Sequence, residues 1–139
     1  MVSTSGSRLL AKEAVRELRD DLLPNCTILT PNVPEALLLL SDAGKPAEEP
    51  KNVEGLIDLA KALQAMGPKY VLLKGGHLPF KADGTVAETD AERVLMVDVL
   101  FGEGEVTRIE TTYSKSRNTH GTGCSLACKM RSPYLKIYC

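Results

Sequence analysis

The chain has 139 residues, with 17 Lys and Arg against 18 Asp and Glu, and a formal net charge of -1. This length suits one domain, and a near-neutral chain without a basic run excludes nucleic acid as an expected partner. The longest apolar runs, such as residues 36–40, fall far short of the roughly 20 residues of a membrane span, so no membrane partner is expected. The N-terminus lacks a signal-peptide pattern, which predicts a cytosolic protein.

Alternating helices and strands are predicted along the first half of the chain. Apolar residues at three- and four-residue steps indicate amphipathic helices over residues 7–24 and 53–63. Short, nearly continuous apolar runs at residues 26–30 and 70–74 are typical of strands buried on both faces. A stretch rich in Pro, Gly and Glu at residues 43–51 predicts a surface loop. Strands that alternate with helices favour an α/β fold with a mainly parallel sheet.

Another helix is predicted over residues 34–40, because Pro34 suits a first helical turn. Asn32 is placed to cap this helix, and Glu35 lies at its positive end. From the spacing alone, a capped helix with a dipole-compensating Glu is the simpler interpretation of this pair. Oxygen-bearing side chains also suit Mg²⁺, so a metal role is the alternative.

An antiparallel hairpin is predicted at one side of the sheet, from strands at residues 94–101 and 105–113. Gly102 and Gly104 bracket its turn. This glycine pair is not followed by a lysine and a Ser or Thr, so it is not a P-loop. The last helix is expected to begin near Gly121.

Candidate ligand-binding residues follow the ends of two predicted strands. Asn32 comes just after the first strand, and Lys74, Gly75 and Gly76 follow the second. In open α/β sheets, ligands bind beyond the carboxyl ends of the strands. A lysine there could reach phosphate oxygens as a point charge, and the glycines could let a phosphate approach the backbone. A solvated terminal lysine is the alternative for Lys74, and a structural histidine explains His77 equally well.

The strongest functional signal is the sequence Asn-Thr-His-Gly-Thr-Gly-Cys at residues 118–124. Gly121 and Gly123 can adopt backbone angles that are closed to other residues, so successive N–H groups can face one concavity. A following helix would add its positive end, which makes such a turn suited to binding an anion and to phosphoryl transfer. Cys124 follows the turn, where a helix N-terminus can activate a thiol. A small packed cysteine is the alternative.

These segments resemble the ribokinase-like superfamily, and within it the hydroxymethylpyrimidine/phosphomethylpyrimidine kinases of thiamine biosynthesis. The resemblance rests on residues 3–10, 30–36, 73–77 and 118–124. Cys124 stands where the superfamily usually has Asp, which points to pyrimidine kinases rather than sugar kinases. The resemblance implies a ribokinase-like α/β fold, in which helices flank a mainly parallel sheet that carries an antiparallel hairpin.

By this resemblance, the activity is ATP-dependent phosphorylation of hydroxymethylpyrimidine and then of its monophosphate. Cys124 corresponds to the general base toward the substrate hydroxyl. Gly121, Thr122 and Gly123 would supply backbone amides to the transferred phosphoryl group, whose chemistry depends mainly on positioning and charge neutralisation.

The resemblance also implies the residues that bind the cofactors ATP and Mg²⁺. The nucleotide would be bound by the strand-end lysine and glycines together with one residue of the glycine-paced turn: Lys74, Gly75, Gly76 and Thr119. Mg²⁺ would be organised by two oxygen-bearing side chains: Asn32 and Glu35. The expected partners are therefore a small pyrimidine and ATP.

The chain departs from the family pattern at both ends. Such kinases are expected to have about 250 residues or more, so this fold is expected to be incomplete and to lack most of the pyrimidine pocket. Residues 1–127 are predicted to form a partial kinase domain, and residues 128–139 a divergent tail in which Pro133 ends any helix early.

Two alternatives to an active pyrimidine kinase stay open from the sequence. The chain could be an inactive or nucleotide-binding fragment of such a kinase, or it could belong to a related pyridoxal-type kinase. Cys124 discriminates against the second, because such kinases more often have Asp at that position. The sequence does not determine the oligomeric state, and a homo-oligomer is one of the states that it allows.

Overall fold

The structure is a computed structural model that describes residues 12–76 and 78–113. Within these residues the chain forms three α-helices: α1 Lys12–Glu17, α2 Val33–Asp42 and α3 Val53–Gln64. It also forms four strands: β1 Ile28–Leu29, β2 Tyr70–Leu73, β3 Leu95–Gly102 and β4 Glu105–Thr112. A π-helical turn at Leu18–Leu22 and a 3₁₀ turn at Leu23–Asn25 follow α1, and a second 3₁₀ turn spans Asp90–Glu92. No helix in this part of the chain is long and apolar enough to cross a membrane.

The four described strands form one mixed sheet in the order β1-β2-β3-β4. β1 runs parallel to β2, whereas β2 with β3 and β3 with β4 are antiparallel. The expected α/β fold is thus observed, and the sheet, which was expected to be mainly parallel with an antiparallel hairpin, has one parallel and two antiparallel pairs among the described strands. The connection from β1 to β2 contains α2 and α3, which serve as a crossover, whereas the connection from β2 to β3 contains only a 3₁₀ turn among its described residues. The chain therefore folds back beside β2.

The predicted hairpin is confirmed in β3 and β4, which pair from Gly102 with Glu105 to Leu95 with Thr112. Its two-residue turn places Glu103 at φ 53° and Gly104 at φ 82°. Two consecutive residues with positive φ are characteristic of the type I′ turn, whose twist matches that of the flanking strands. The turn therefore fixes the register of β3, on which a residue of the candidate site lies.

The hydrophobic core lies between α3 and one face of β2 and β3. Alternate strand residues face this helix and are almost fully buried: Val71, Leu73, Val97 and Val99. Helix α3 supplies buried apolar residues at helical spacing, among them Leu56, Ala60 and Leu63. Phe80, which is also fully buried, anchors the segment after β2 through two backbone hydrogen bonds with Leu95. This packing fixes the carboxyl end of β2 against β3.

Candidate functional site

Asn32 and Glu35 form a capping box at the N-terminus of α2. The Asn32 Oδ1 atom accepts a hydrogen bond from the Glu35 backbone N–H at 2.8 Å, and the Glu35 Oε2 atom accepts one from the Asn32 N–H at 3.0 Å. The two side chains thereby satisfy two backbone donors that the first helical turn leaves unpaired. The predicted cap is confirmed, whereas the implied metal role of the pair stays a prediction.

Lys74 lies beside Asn32 at the carboxyl ends of the two parallel strands. The two residues form a parallel bridge, and the Lys74 N–H donates to the Pro31 carbonyl oxygen at 2.9 Å. The Lys74 side chain is half-buried, and no carboxylate in the described ranges lies within 4.0 Å of its ammonium group. Two of the segments predicted to share one edge of the sheet therefore do meet there.

Gly75 and Gly76 have different surroundings. Gly75 is buried, and a Cβ atom added to it would overlap the backbone carbonyl oxygen of Val97. Gly76 is exposed, and an added Cβ would lie 3.6 Å from the Met96 Cε atom, which is ordinary van der Waals contact. Packing therefore requires glycine at position 75 but not at position 76. The proposed approach of a phosphate to this backbone stays a prediction for both residues.

Asp98 belongs to the same strand-end region and was not among the residues predicted from the sequence. It precedes Val99, which pairs with Leu73. The Asp98 Oδ1 atom accepts a hydrogen bond from the Gly75 N–H at 2.9 Å. Burial raises the pKa of Asp98 above the usual range of an aspartate, although the hydrogen bond from Gly75 and the charge of Lys74 act in the opposite direction. A charged residue inside the apolar run of β3 was the signal that could have identified it.

An apolar cavity lies beside the end of β1, with a volume of about 100 Å³. Glu35 and Thr30 contribute polar groups, and the remaining lining residues are apolar: Val15, Leu18, Leu29, Pro31, Leu38 and Leu39. Pockets for small molecules usually have volumes of about 300–1,000 Å³. This cavity is therefore too small for a nucleotide, and the described edge contributes charged and polar groups rather than a complete pocket.

The glycine-paced turn lies outside the described residues, so the structure does not test it. The predicted site residues that lie there are Thr119, Gly121, Thr122, Gly123 and Cys124, and His77 also lies outside the described residues. Between residues 12 and 113, leaving out position 77, no group of three or more His, Cys, Asp or Glu side chains could hold a metal ion.

The family model for phosphomethylpyrimidine kinase matches residues 1–137. The chain belongs to the phosphomethylpyrimidine kinase family. It is 36% identical over 132 residues to the putative hydroxymethylpyrimidine/phosphomethylpyrimidine kinase 2 of Schizosaccharomyces pombe, a match that covers 95% of this chain and 24% of that protein. It is 35% identical over 130 residues to the hydroxymethylpyrimidine/phosphomethylpyrimidine kinase of Escherichia coli, which covers 94% of this chain and 42% of that protein. The chain thus spans less than half the length of these relatives.

Solved structures of vitamin kinases share the fold of this family member. Bacillus subtilis pyridoxal kinase, solved as an ADP complex, has a TM-score of 0.67 and 29% identity, with 91% of this chain and 42% of that one covered. Clostridium difficile phosphomethylpyrimidine kinase has a TM-score of 0.56 and 31% identity, with 78% of this chain and 38% of that one covered. The expected ribokinase-like α/β fold is thereby confirmed.

Proposed function

We propose that the protein carrying this chain phosphorylates hydroxymethylpyrimidine and its monophosphate with ATP, as a step of thiamine biosynthesis. Membership of the phosphomethylpyrimidine kinase family supports this reaction. The single observation that carries it is that Lys74, a half-buried residue, lies beside Asn32 where the parallel strands β1 and β2 end. The cytosolic location and the oligomeric state stay predictions.

Lys74 is proposed to bind the phosphates of ATP. Its ammonium group has no ion-pair partner among the described carboxylates that a phosphate would have to displace. Phosphoryl transfer depends on charge neutralisation and positioning, so a strand-end lysine held by the Pro31 carbonyl is suited to this task. The exposed backbone at Gly76 leaves room for a phosphate to approach.

Glu35 is the described residue that fits Mg²⁺ by its chemistry. Its Oε2 atom is used in the capping box, which leaves the Oε1 atom for a metal or a metal-bound water. Mg²⁺ usually keeps several waters and takes only one or two carboxylates together with substrate phosphates. Asn32 would act on the metal indirectly, by holding the first turn of α2 in place. When bound, Mg²⁺ would neutralise charge on the phosphates.

The remaining roles are proposed for the glycine-paced turn. Gly121, Thr122 and Gly123 would donate backbone N–H groups to the transferred phosphoryl group, and Thr119 would contact the nucleotide. Cys124 would remove the proton from the substrate hydroxyl. A Cys124→Ala variant is therefore expected to lose turnover while it still binds ATP, and Cys128→Ala, four residues further along the sequence, provides a control.

A pyridoxal-type kinase is the second candidate. It is supported by the likeness to Bacillus subtilis pyridoxal kinase, which has a TM-score of 0.67 and 29% identity with this chain. Cys124 favours the pyrimidine kinase. The two activities are distinguished by which acceptor, the pyrimidine or pyridoxal, supports the release of ADP from ATP.

The test is ADP release from ATP and Mg²⁺, measured with hydroxymethylpyrimidine or pyridoxal as the acceptor. A lost charge-assisted contact is worth about 1.5–3 kcal/mol, so Lys74→Ala should raise the KM for ATP about tenfold or more. Lys69→Ala is the matched control, because Lys69 precedes the same strand at its other end and pairs with Glu103. ADP release with pyridoxal but not with hydroxymethylpyrimidine would favour the second candidate. Nucleotide binding without turnover would favour the nucleotide-binding fragment.

A further inference from the structure

Asp98 is a half-buried carboxylate for which the proposed reaction has no role so far. It lies in the apolar run of β3, between the buried residues Val97 and Val99. A charged group at such a position loses solvation, which is costly unless the group has a hydrogen-bond partner. Its described partner is the backbone N–H of Gly75, at 2.9 Å from Oδ1. The carboxylate thus accepts a hydrogen bond from the segment that follows β2.

This segment is held from both sides. On one side, the Lys74 N–H donates to the Pro31 carbonyl at the end of β1. On the other side, the Gly75 N–H donates to Asp98, and Gly75 packs so closely on the Val97 carbonyl that no side chain fits. The Gly75 carbonyl in turn accepts from the Leu78 N–H at 2.8 Å. The two peptide groups that flank Lys74 are therefore held from opposite sides, the one before it by the Pro31 carbonyl and the one after it by the Asp98 carboxylate.

We propose that Asp98 is a positioning residue for phosphate binding, which acts by holding the Gly75 peptide and thereby the exit of the Lys74 side chain from the strand. This inference rests on the proposed binding of ATP phosphate by Lys74. Asp98 holds this peptide without forming an ion pair with Lys74, since no described carboxylate lies within 4.0 Å of the Lys74 ammonium group.

The hydrogen bond and the charge can be separated by substitution. Asp98→Asn keeps an oxygen at the acceptor position and removes the charge, whereas Asp98→Ala removes both. Asp83→Ala is the matched control, because the Asp83 Oδ1 atom accepts a backbone N–H, that of Thr85, at the same distance of 2.9 Å in an exposed turn. The three variants should be made in the protein that carries this chain.

The measurement is the dissociation constant of AMP-PCP by calorimetry, together with the KM of the pyrimidine and the urea midpoint. We expect Asp98→Ala to weaken nucleotide binding about tenfold or more, since a hydrogen bond to a charged group is lost. Asp98→Asn should stay within about threefold of wild type, because its side-chain oxygen can still accept the Gly75 N–H. The KM of the pyrimidine should be unchanged in every variant, and Asp83→Ala should bind the nucleotide as wild type does.

Several results would overturn the inference. Wild-type affinity in Asp98→Ala, or a loss in Asp98→Asn as large as in Asp98→Ala, would exclude positioning by the hydrogen bond. An equal loss for both substrates that follows the loss of stability would reduce Asp98 to a structural residue. If Asp98→Ala does not fold, Asp98→Glu takes its place with the same expectation, because it moves the oxygen by one methylene. A wild-type protein that binds no AMP-PCP would overturn the proposed function itself.

Discussion

Replacing Gly75 by alanine should destabilise the fold strongly, although the change adds one methyl group. The new Cβ atom would lie much closer to the Val97 carbonyl oxygen than the 3.0 Å that such atoms keep, and 3.3 Å from the Leu56 Cδ1 atom. A backbone carbonyl within a sheet cannot move aside as a side chain can, so β2 and β3 would have to separate. Overpacking usually costs about 1–3 kcal/mol, and the strained hydrogen bond to Asp98 adds to this. We expect a loss of about 3 kcal/mol or more.

The assay is equilibrium unfolding in urea, with Gly76→Ala as the neighbouring control. Because m-values are about 1–3 kcal/mol/M, the Gly75→Ala midpoint should fall by roughly 1 M or more. Gly76→Ala makes only an ordinary contact of 3.6 Å, so its free energy of unfolding should change by less than about 1 kcal/mol. If the phosphate approaches this backbone, Gly76→Ala should nevertheless weaken ATP binding. A Gly75→Ala chain that unfolds within about 0.5 kcal/mol of wild type would refute the reasoning.

Three further expectations concern stability. Asn52→Ala should cost about 1 kcal/mol in urea unfolding, because the Asn52 Oδ1 atom caps α3 through the Gly55 N–H at 2.8 Å; an unchanged midpoint would contradict this. Phe80→Ala, at a fully buried position, should cost about 3–5 kcal/mol, whereas Leu22→Ala, at a position that is 62% exposed, should cost little; similar losses would be inconsistent with the described core. Since burial raises the pKa of Asp98, the folded chain holds that proton to higher pH than the unfolded chain does, and the resulting stability is lost as the pH rises through the folded-state pKa. The free energy of unfolding of Asp98→Asn should therefore increase relative to that of wild type as the pH rises from acidic to neutral. Urea series at the two pH values that give the same difference between variant and wild type would disprove this.

Local signals predicted most of the described elements. The cap of α2 follows from Asn32 and Glu35, three residues apart, and the hairpin follows from its turn residues. The direction of β3 did not follow, because it depends on whether a connection contains a crossover helix rather than on the pattern of the strand itself. The antiparallel pairing of β3 with β2 was therefore not predicted, whereas the antiparallel hairpin of β3 and β4 was.

The candidate site was predicted in part. Lys74 and Asn32 meet as the strand-end rule implied, because parallel strands bring their carboxyl ends to one edge. Asp98 was missed because its contact with Gly75 joins residues 23 positions apart and depends on the register of β3. The need for glycine at position 75 likewise comes from Val97, on another strand. The local sequence marks Asp98 only as a charged residue within an apolar run and gives no sign of which residue it contacts.

The most direct test of the central claim is mass spectrometry of the products formed from hydroxymethylpyrimidine, ATP and Mg²⁺. We expect the monophosphate to appear first and the diphosphate to follow, with both products absent from Cys124→Ala and present with Cys128→Ala. A folded, nucleotide-binding protein that forms neither phosphorylated pyrimidine would contradict the assignment as a pyrimidine kinase.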